Sequence, residues 1–395
     1  MIRRHKKICF VDLYDEENLG DPVIAYCAEW LFRQCMGDEQ TRISHVSLSY
    51  VEKQDYTDPE MPFLWRIRRD RYIKKGWDKE VIKFNRLYAQ VMIRDYFKKT
   101  VRRPDMIILS GGGIIKFKYQ KFWRSVPALL QYAEQKGIPV AMNAVGVEGY
   151  EEGYHKCLRI KEALHLPSLK YFSTRDDYDT AFYQYFEGNP QVPCKRVPDP
   201  AVWTAEAYGV SRQTDATTIG VGIARGKLFH SNGIDVGPDQ LKTLYRDVIL
   251  LLTQKGYQVE VFTNGLAYDN DFSMEVIQSL PQLKINYYFP QTAEQLVRRI
   301  ASYRAILATR LHASIIAFSF GIPAVGMVWN NKLRFWGEFI QRPQNYVPAD
   351  RLDAAYLVEV FENAVREGYD ETYREKVKAE ALENMRCICD IVRKL

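Results

Sequence analysis

The chain alternates between two kinds of apolar spacing. Short runs such as MIILS (106–110) and VAMNAV (140–145) are apolar at almost every position, as strands buried on both faces are. Between them lie longer stretches with apolar residues three and four apart, the helical period. On this basis the first half predicts strands over 7–13, 106–110, 140–145 and 171–174, and helices over 22–35, 125–136 and 180–186. A loop rich in Pro and Val follows at 189–203, and the pattern restarts. Strands are predicted over 218–224, 258–263, 285–289 and 305–308, with a helix over 241–255. Another helix opens at Thr292, with Gln295 three residues on as a capping box requires. Then comes ATRLHASIIAFSFGIPAV (308–325), read as a strand end, an apolar helix over 313–320, a Gly-Ile-Pro stop and a strand over 324–328. Two charged helices, 351–367 and 371–393, close the chain.

Strand–helix alternation in two blocks predicts an α/β protein of two Rossmann-like domains facing a cleft. The joint falls near 199–216, giving an N-terminal domain over 1–205 with a basic helical insertion at 55–103. A C-terminal domain over 206–340 follows, and helices in 341–395 pack back across both. In open parallel sheets, ligands bind at the carboxyl ends of the strands. Five loops share that edge. ENLGDP brings Asn18, Gly20 and Asp21, with Asp21 read as the helix N-cap and Pro22 as the first helical residue. SGGGI brings Gly112 and Gly113, where the backbone can approach a ligand closely, although the run matches neither G-x-G-x-x-G nor a Walker loop. FSTRDD brings Arg175, GIARGK brings Arg225, and TRLH brings Arg310, Leu311 and His312. Arginines from separate loops on one edge suit a small, multiply charged anion, because the guanidinium fork binds carboxylate and phosphate through two hydrogen bonds. From these residues alone, His312 reads equally as a titrating group and as a helix-start histidine satisfied by backbone.

Composition narrows the setting. At 395 residues the chain is too long for one ordinary core. The uncharged run 311–331 divides into helix, turn and strand and so reads as buried core, not a membrane span. The basic start MIRRHKK leads into an apolar stretch too short for a signal peptide. Seven scattered cysteines predict reduced thiols in the cytoplasm. No His, Cys or carboxylate spacing suggests a metal, and G-x-S-x-G is missing. Charge is concentrated: residues 66–103 hold 14 Lys and Arg against 4 Asp and Glu, an excess larger than the +6 of the whole chain. Aromatic residues are interleaved at helical spacing. The segment reads either as a solvated helix packing its aromatics or as one drawn to an anionic membrane face or a lipid pyrophosphate. Nucleic acid is set aside because no recognition fold accompanies the charge.

Taken together, NLGD (18–21), LSGGG (109–113), STRD (173–176), PDPA (198–201) and TRLHASIIAFSFGIPAVGM (309–327), followed by Lys332, resemble the polysaccharide pyruvyl transferase family. They stand in the family's order over about 10–335, the last stretch being the distinctive one; 55–103 and the tail beyond 340 find no clear match. The resemblance implies a fold like the two-domain GT-B glycosyltransferases. It implies transfer of the enolpyruvyl carbons of phosphoenolpyruvate onto two sugar hydroxyls, leaving a pyruvate ketal and phosphate, with no cofactor. Arg310, Leu311 and His312 would hold phosphoenolpyruvate with His312 as general acid, Asp21 would act beside it, and Arg175 would be a further anion contact. Asn18, Gly20, Gly112, Gly113, Arg225 and Lys332 complete the expected site. Pro22 stands where some relatives carry an acid. Ketal formation needs a proton on the methylene carbon as a hydroxyl attacks the central one, a task for a tunable histidine. With the basic segment, the expected acceptor is a saccharide on polyprenyl pyrophosphate, met by a peripheral enzyme at the inner membrane face. A GT-B glycosyltransferase using a nucleotide sugar and a non-catalytic anion-binding protein are the alternatives.

Overall fold

The computed structural model describes residues 5–37, 41–49, 78–116 and 121–395. The first half contributes β1 (Lys6–Asp12), β2 (Thr41–Ser47), β3 (Met106–Ser110), β4 (Ile115–Lys116), β5 (Val140–Val145), β6 (Val147–Glu148), β7 (Leu169–Thr174) and β8 (Cys194–Arg196). The second contributes β9 (Thr218–Gly222), β10 (Gln258–Phe262), β11 (Asn286–Tyr288), β12 (Ile306–Ala308), β13 (Ala324–Val328) and β14 (Tyr346–Pro348). Two six-stranded parallel sheets result, ordered β2-β1-β3-β5-β7-β8 and β11-β10-β9-β12-β13-β14, with β4 and β6 paired as a small third. Every residue of β3 and β5 is buried, as helices covering both faces of a parallel sheet require. Each large sheet begins in its middle, at β1 and β9, so each has a switch point where the strand order reverses: β1/β3 in one and β9/β12 in the other.

The helix Gly20–Met36 separates the two halves and belongs to both cores. Val23, Ile24 and Cys27 pack with Phe262, Ile300, Ala313 and Ile316 of the second half. Ala28, Leu31 and Phe32 turn to Ile8 and Phe10 of the first sheet and to Met385, Ile388 and Val392 of the last helix, Glu371–Lys394. That last helix is anchored by a buried polar relay. Tyr171 Oη donates to Asn384 Oδ1 (2.8 Å), Asn384 Nδ2 to Asn143 Oδ1 (2.6 Å), and Asn143 Nδ2 to Ser110 Oγ (3.0 Å). The second sheet reaches past residue 340, because β14 pairs with β13 and the helix Ala354–Glu367 packs on the sheet's core. Among the described elements beyond residue 340, it is Glu371–Lys394 whose core contacts reach the first half.

Of the basic segment, 66–77 lies outside the described residues, including Arg68, Arg69, Lys74 and Lys75. The helix Asp78–Thr100 uses its aromatics as core: Phe84, Tyr88 and Phe97 are buried, while Arg94, Lys98 and Lys99 are exposed. The first helix begins earlier than its sequence suggests. It starts at Gly20 with Leu19 as N-cap, so Asp21 is not the cap and Pro22 is not the first helical residue. Proline is tolerated at this third position because first-turn N–H groups have no intrahelical acceptor to lose. The Asp21 carboxylate is thereby left for Asn18, whose Nδ2 donates to it at 3.0 Å.

His45 on β2 fastens this helix to the sheet. Its Nδ1 meets Asp12 Oδ2 at 2.9 Å and its Nε2 meets Glu29 Oε2 at 2.7 Å. Burial alone would lower its pKa, but the hydrogen bonds and charges of Asp12 and Glu29 prevail and raise it to about 9. A pKa raised above the unfolded value stabilises the fold fully below about 6.5, and that contribution fades as pH rises through about 9. Urea denaturation should therefore show stability falling between pH 6.5 and 9, and the His45→Gln variant should lose this part of the pH dependence.

Candidate active site between the facing sheet edges

The carboxyl ends at both switch points open into one cavity of about 290 Å³. Its walls come from the loop after β1 (Leu13, Glu16, Asn18, Asp21), the glycine loop and β4 (Gly113, Lys116), and Lys121 and Phe122. Arg175 after β7, Arg310, Leu311 and His312 after β12, and Trp329, Asn330 and Lys332 after β13 complete them. Three helices begin here: Gly20–Met36, Leu311–Ser319 and Asn331–Phe339. Their free N–H groups and dipoles favour negative charge.

His312 lies at the centre of the wall, 7% exposed, on a helix apolar enough to be buried all round. Its Nε2 is 3.2 Å from Arg175 Nη1. Arginine only donates, so Nε2 accepts and the neutral ring carries its proton on Nδ1. Arg175, 8% exposed, is itself ion-paired with Asp199, whose Oδ2 lies 3.9 Å from the imidazole. Burial, then the charges of Arg175, Lys332, Arg310 and Lys116, hold the His312 pKa well below the ordinary histidine value. Gly20 faces the ring from the first helix. A Cβ there would lie 2.3 Å from Nδ1, so glycine is required for the two halves to meet this closely.

The cations are individually fixed. Arg310 donates twice to Asp269, from Nε (2.9 Å) and Nη2 (2.6 Å), and Asp269 is fully buried. Lys332 is buried, with Nζ 3.5 Å from Glu148 Oε2 on β6. Lys116 on β4 has its pKa lowered to about 8, first by the charge of Lys332 and then by burial. The Lys116 stem and the Lys332 ammonium both lie against Gly113, where a Cβ would be 2.4 Å from Lys116 Cε and 2.7 Å from Lys332 Nζ. Among the acids, burial raises the Asp21 pKa against the pull of Arg175. Asn18 Oδ1 and Asn330 Oδ1 are buried acceptors without a hydrogen-bond donor.

The cavity thus unites Asn18, Asp21, Gly113, Arg175, Arg310, Leu311, His312 and Lys332, with Gly20 directly behind the imidazole. Gly112 is not in the wall. Its positive φ of 70° turns the loop, its carbonyl accepts from Gly146 N–H (2.8 Å), and a Cβ there would strike Leu13 rather than a ligand. Arg225 is also elsewhere: its side chain is exposed, because the loop after β9 directs its N–H inward to Asp269 Oδ1 (2.9 Å) and the guanidinium outward. Its contribution is to hold the carboxylate that holds Arg310. Sequence reasoning missed Lys116, Lys121, Asp199 and Asp269. Asp199 stands in the PDPA stretch, a signal that was there to use. Lys116 lies on a strand of two residues, too short for any periodicity, and Asp269 sits on a helix with no local signature.

With this geometry in place, comparison with known proteins identifies both fold and family. The fold is that of two-domain, GT-B-like enzymes. UDP-N-acetylglucosamine 2-epimerase of Methanocaldococcus jannaschii superposes with a TM-score of 0.59 at 10% identity, over 99% of this chain and 100% of that one. The Rickettsia bellii enzyme of the same name gives 0.57 at 11%, over 99% and 96%. That of Neisseria meningitidis, bound to UDP-GlcNAc, gives 0.56 at 11%, over 99% and 100%. At such identities the likeness is one of fold alone. In sequence, residues 18–331 match the polysaccharide pyruvyl transferase family, and the chain belongs to that family. No curated protein matches it.

The His312 pKa gives a measurable consequence. Below about 6.5 the unfolded chain takes up a proton that the folded ring refuses, so stability falls as pH drops, by up to about 1.4 kcal/mol per pH unit. His312→Gln should remove that slope. In the free wild-type protein, the His312 ring resonances should remain those of neutral imidazole from pH 8 down to 6.

Proposed function

We propose that the protein moves the enolpyruvyl group of phosphoenolpyruvate onto two hydroxyls of one sugar in a polysaccharide repeat unit, forming a pyruvate ketal and releasing phosphate. The observation that carries this reading is a neutral, buried imidazole set among five cations, Arg175, Arg310, Lys116, Lys121 and Lys332, in one cavity. A cavity of about 290 Å³ sits at the lower end of the roughly 300–1,000 Å³ typical of drug-sized ligands, which favours a compact trianion over a nucleotide sugar.

In this reading Arg310 and the Lys116–Lys332 pair divide the donor's carboxylate and phosphate between them. The bound trianion raises the His312 pKa that the surrounding cations had depressed, so the ring is protonated when the donor arrives. His312 gives its proton to the methylene carbon, and the first sugar hydroxyl bonds to the central carbon. Asp21, poised by burial and Asn18, takes that hydroxyl's proton. The C–O bond to phosphate then breaks, the second hydroxyl closes the ketal, and its proton leaves with the phosphate. The cations stabilise the departing charge. Asn18 Oδ1 and Asn330 Oδ1, buried acceptors in the wall, suit hydroxyl donors of the sugar.

The acceptor in this proposal is carried on polyprenyl pyrophosphate, and the enzyme meets it at the inner face of the membrane. The charge of 66–103 supports this, with each nearby cation contributing on the order of 1 kcal/mol at an anionic surface. No described helix is long and apolar enough to cross a membrane.

Incubation with phosphoenolpyruvate and candidate saccharides should release inorganic phosphate only when an acceptor is present. His312→Gln should lower turnover by about 10²–10⁴-fold. Arg310→Ala should raise KM for phosphoenolpyruvate, whereas Arg225→Ala should leave both kinetic constants near wild type. Unchanged turnover in His312→Gln would remove that residue's role. Release of a nucleoside diphosphate from a nucleotide sugar, with none of phosphate from phosphoenolpyruvate, would replace the whole reading with glycosyl transfer.

A further inference from the structure

A second concentration of positive charge lies on the first domain, outside the cavity. Arg94 on Asp78–Thr100, Arg124 at the start of Ser125–Lys136 and Arg159 on His155–Leu164 line one shallow groove, with Gln131 at its side and Ile93 and Pro127 beneath. None of the three arginines is ion-paired with a described carboxylate; Asp95, next to Arg94 on the same helix, holds Lys99 instead, at 2.6 Å. Trp123 gathers the charge further. The guanidinium carbons of Arg124 and Arg159 lie 4.3 and 5.4 Å from its ring centre, and Lys156 Nζ lies 5.7 Å away. Arg124 Nε is buried with no acceptor, a donor left unused in a folded protein that pairs most of its buried polar groups.

Three guanidinium groups that line one groove with no described carboxylate among them are an arrangement that an oxyanion would stabilise. The space is about 30 Å³, too little for a sugar ring and suited to one tetrahedral oxyanion entering from solvent. Its position matters as much as its charge. Lys121 and Phe122 line the main cavity, and Arg124 lines the groove, a separation in sequence that spans at most about 11 Å. We infer that the groove formed by Arg94, Arg124 and Arg159 is a second oxyanion site, which binds one phosphoryl group of the phosphate or diphosphate carried by the acceptor while its sugar occupies the main cavity. This assignment of the acceptor rests on the transfer reaction proposed above; the oxyanion site itself does not.

Inorganic pyrophosphate, titrated calorimetrically, tests the site without turnover. Wild type should bind two, one in each cationic site, and the variant Arg94→Gln/Arg124→Gln/Arg159→Gln should bind one. Because Arg124 is half-buried, Arg94→Glu at an exposed position serves as the second variant and should also weaken one of the two sites. Kinetically, a disaccharide acceptor bearing a reducing-end diphosphate should have a lower KM than its unphosphorylated form. In the triple variant that KM should rise about tenfold or more, with kcat and KM for phosphoenolpyruvate retained. Unchanged pyrophosphate stoichiometry in both variants overturns the site. Lost stoichiometry with an unchanged acceptor KM, together with lost binding to phosphatidylglycerol but not phosphatidylcholine vesicles, assigns the groove to a lipid headgroup and overturns the acceptor assignment. A failure of phosphate release from phosphoenolpyruvate, with the two pyrophosphate sites present, would strike the transfer reaction and leave the groove standing.

Discussion

A guanidinium taken out of water must be paired, and the pairing of Arg175 with Asp199 sets the terms for everything around it. Arg175 follows the last long strand of the first sheet, and Asp199 caps the short turn Pro200–Trp203 that begins the passage to the second. Their contact therefore fixes one domain's strand edge to the connection between domains. A second N–H of Arg175 Nη1 is offered to His312, which settles which imidazole nitrogen bears the proton before any ligand arrives. Asp199 sits just behind as a counter-charge that an imidazolium could use. Loss of this pair would leave a buried charge uncompensated and the histidine without an assigned tautomer.

Around that pair, the site follows from topology. Both sheets reverse their strand order in the middle, and both reversals face the cavity. The loops that leave β1, β3 and β12 therefore have no choice but to meet. Gly20 lets them meet at contact distance, and Gly113 lets two lysines lie over the backbone. Positive charge is dense, but every arginine in the wall is held by a carboxylate behind it: Asp199 for Arg175 and Asp269 for Arg310. A ligand would meet a rigid array, so little reorganisation is needed when charge develops.

Much of the fold was legible because parallel strands buried on both faces are continuous apolar runs. The bounds of β3, β5 and β13 agree with the sequence reading to the residue. The edge strands β2, β8 and β14 escaped it: they are short or half-polar, and only pairing with a neighbour makes them strands. In the site, Arg175, Arg310 and His312 were readable from their place at strand ends. Arg225 misled for the same reason, since position at a strand end does not say which way a side chain turns. Asp269 and Lys116 could not be found, because their roles depend on partners 41 residues away and on a two-residue strand.

The chain passes between the domains twice, once through Val197–Thr217 and again where Ala354–Glu367 gives way to Glu371–Lys394. A protein with one such crossing could swivel freely. With two, and with Val23, Ile24 and Cys27 of the helix Gly20–Met36 packed into the second half's core, the halves are tied at three places. Any relative movement of the two halves would have to part Gly20 from His312, which meet across the cleft at contact distance.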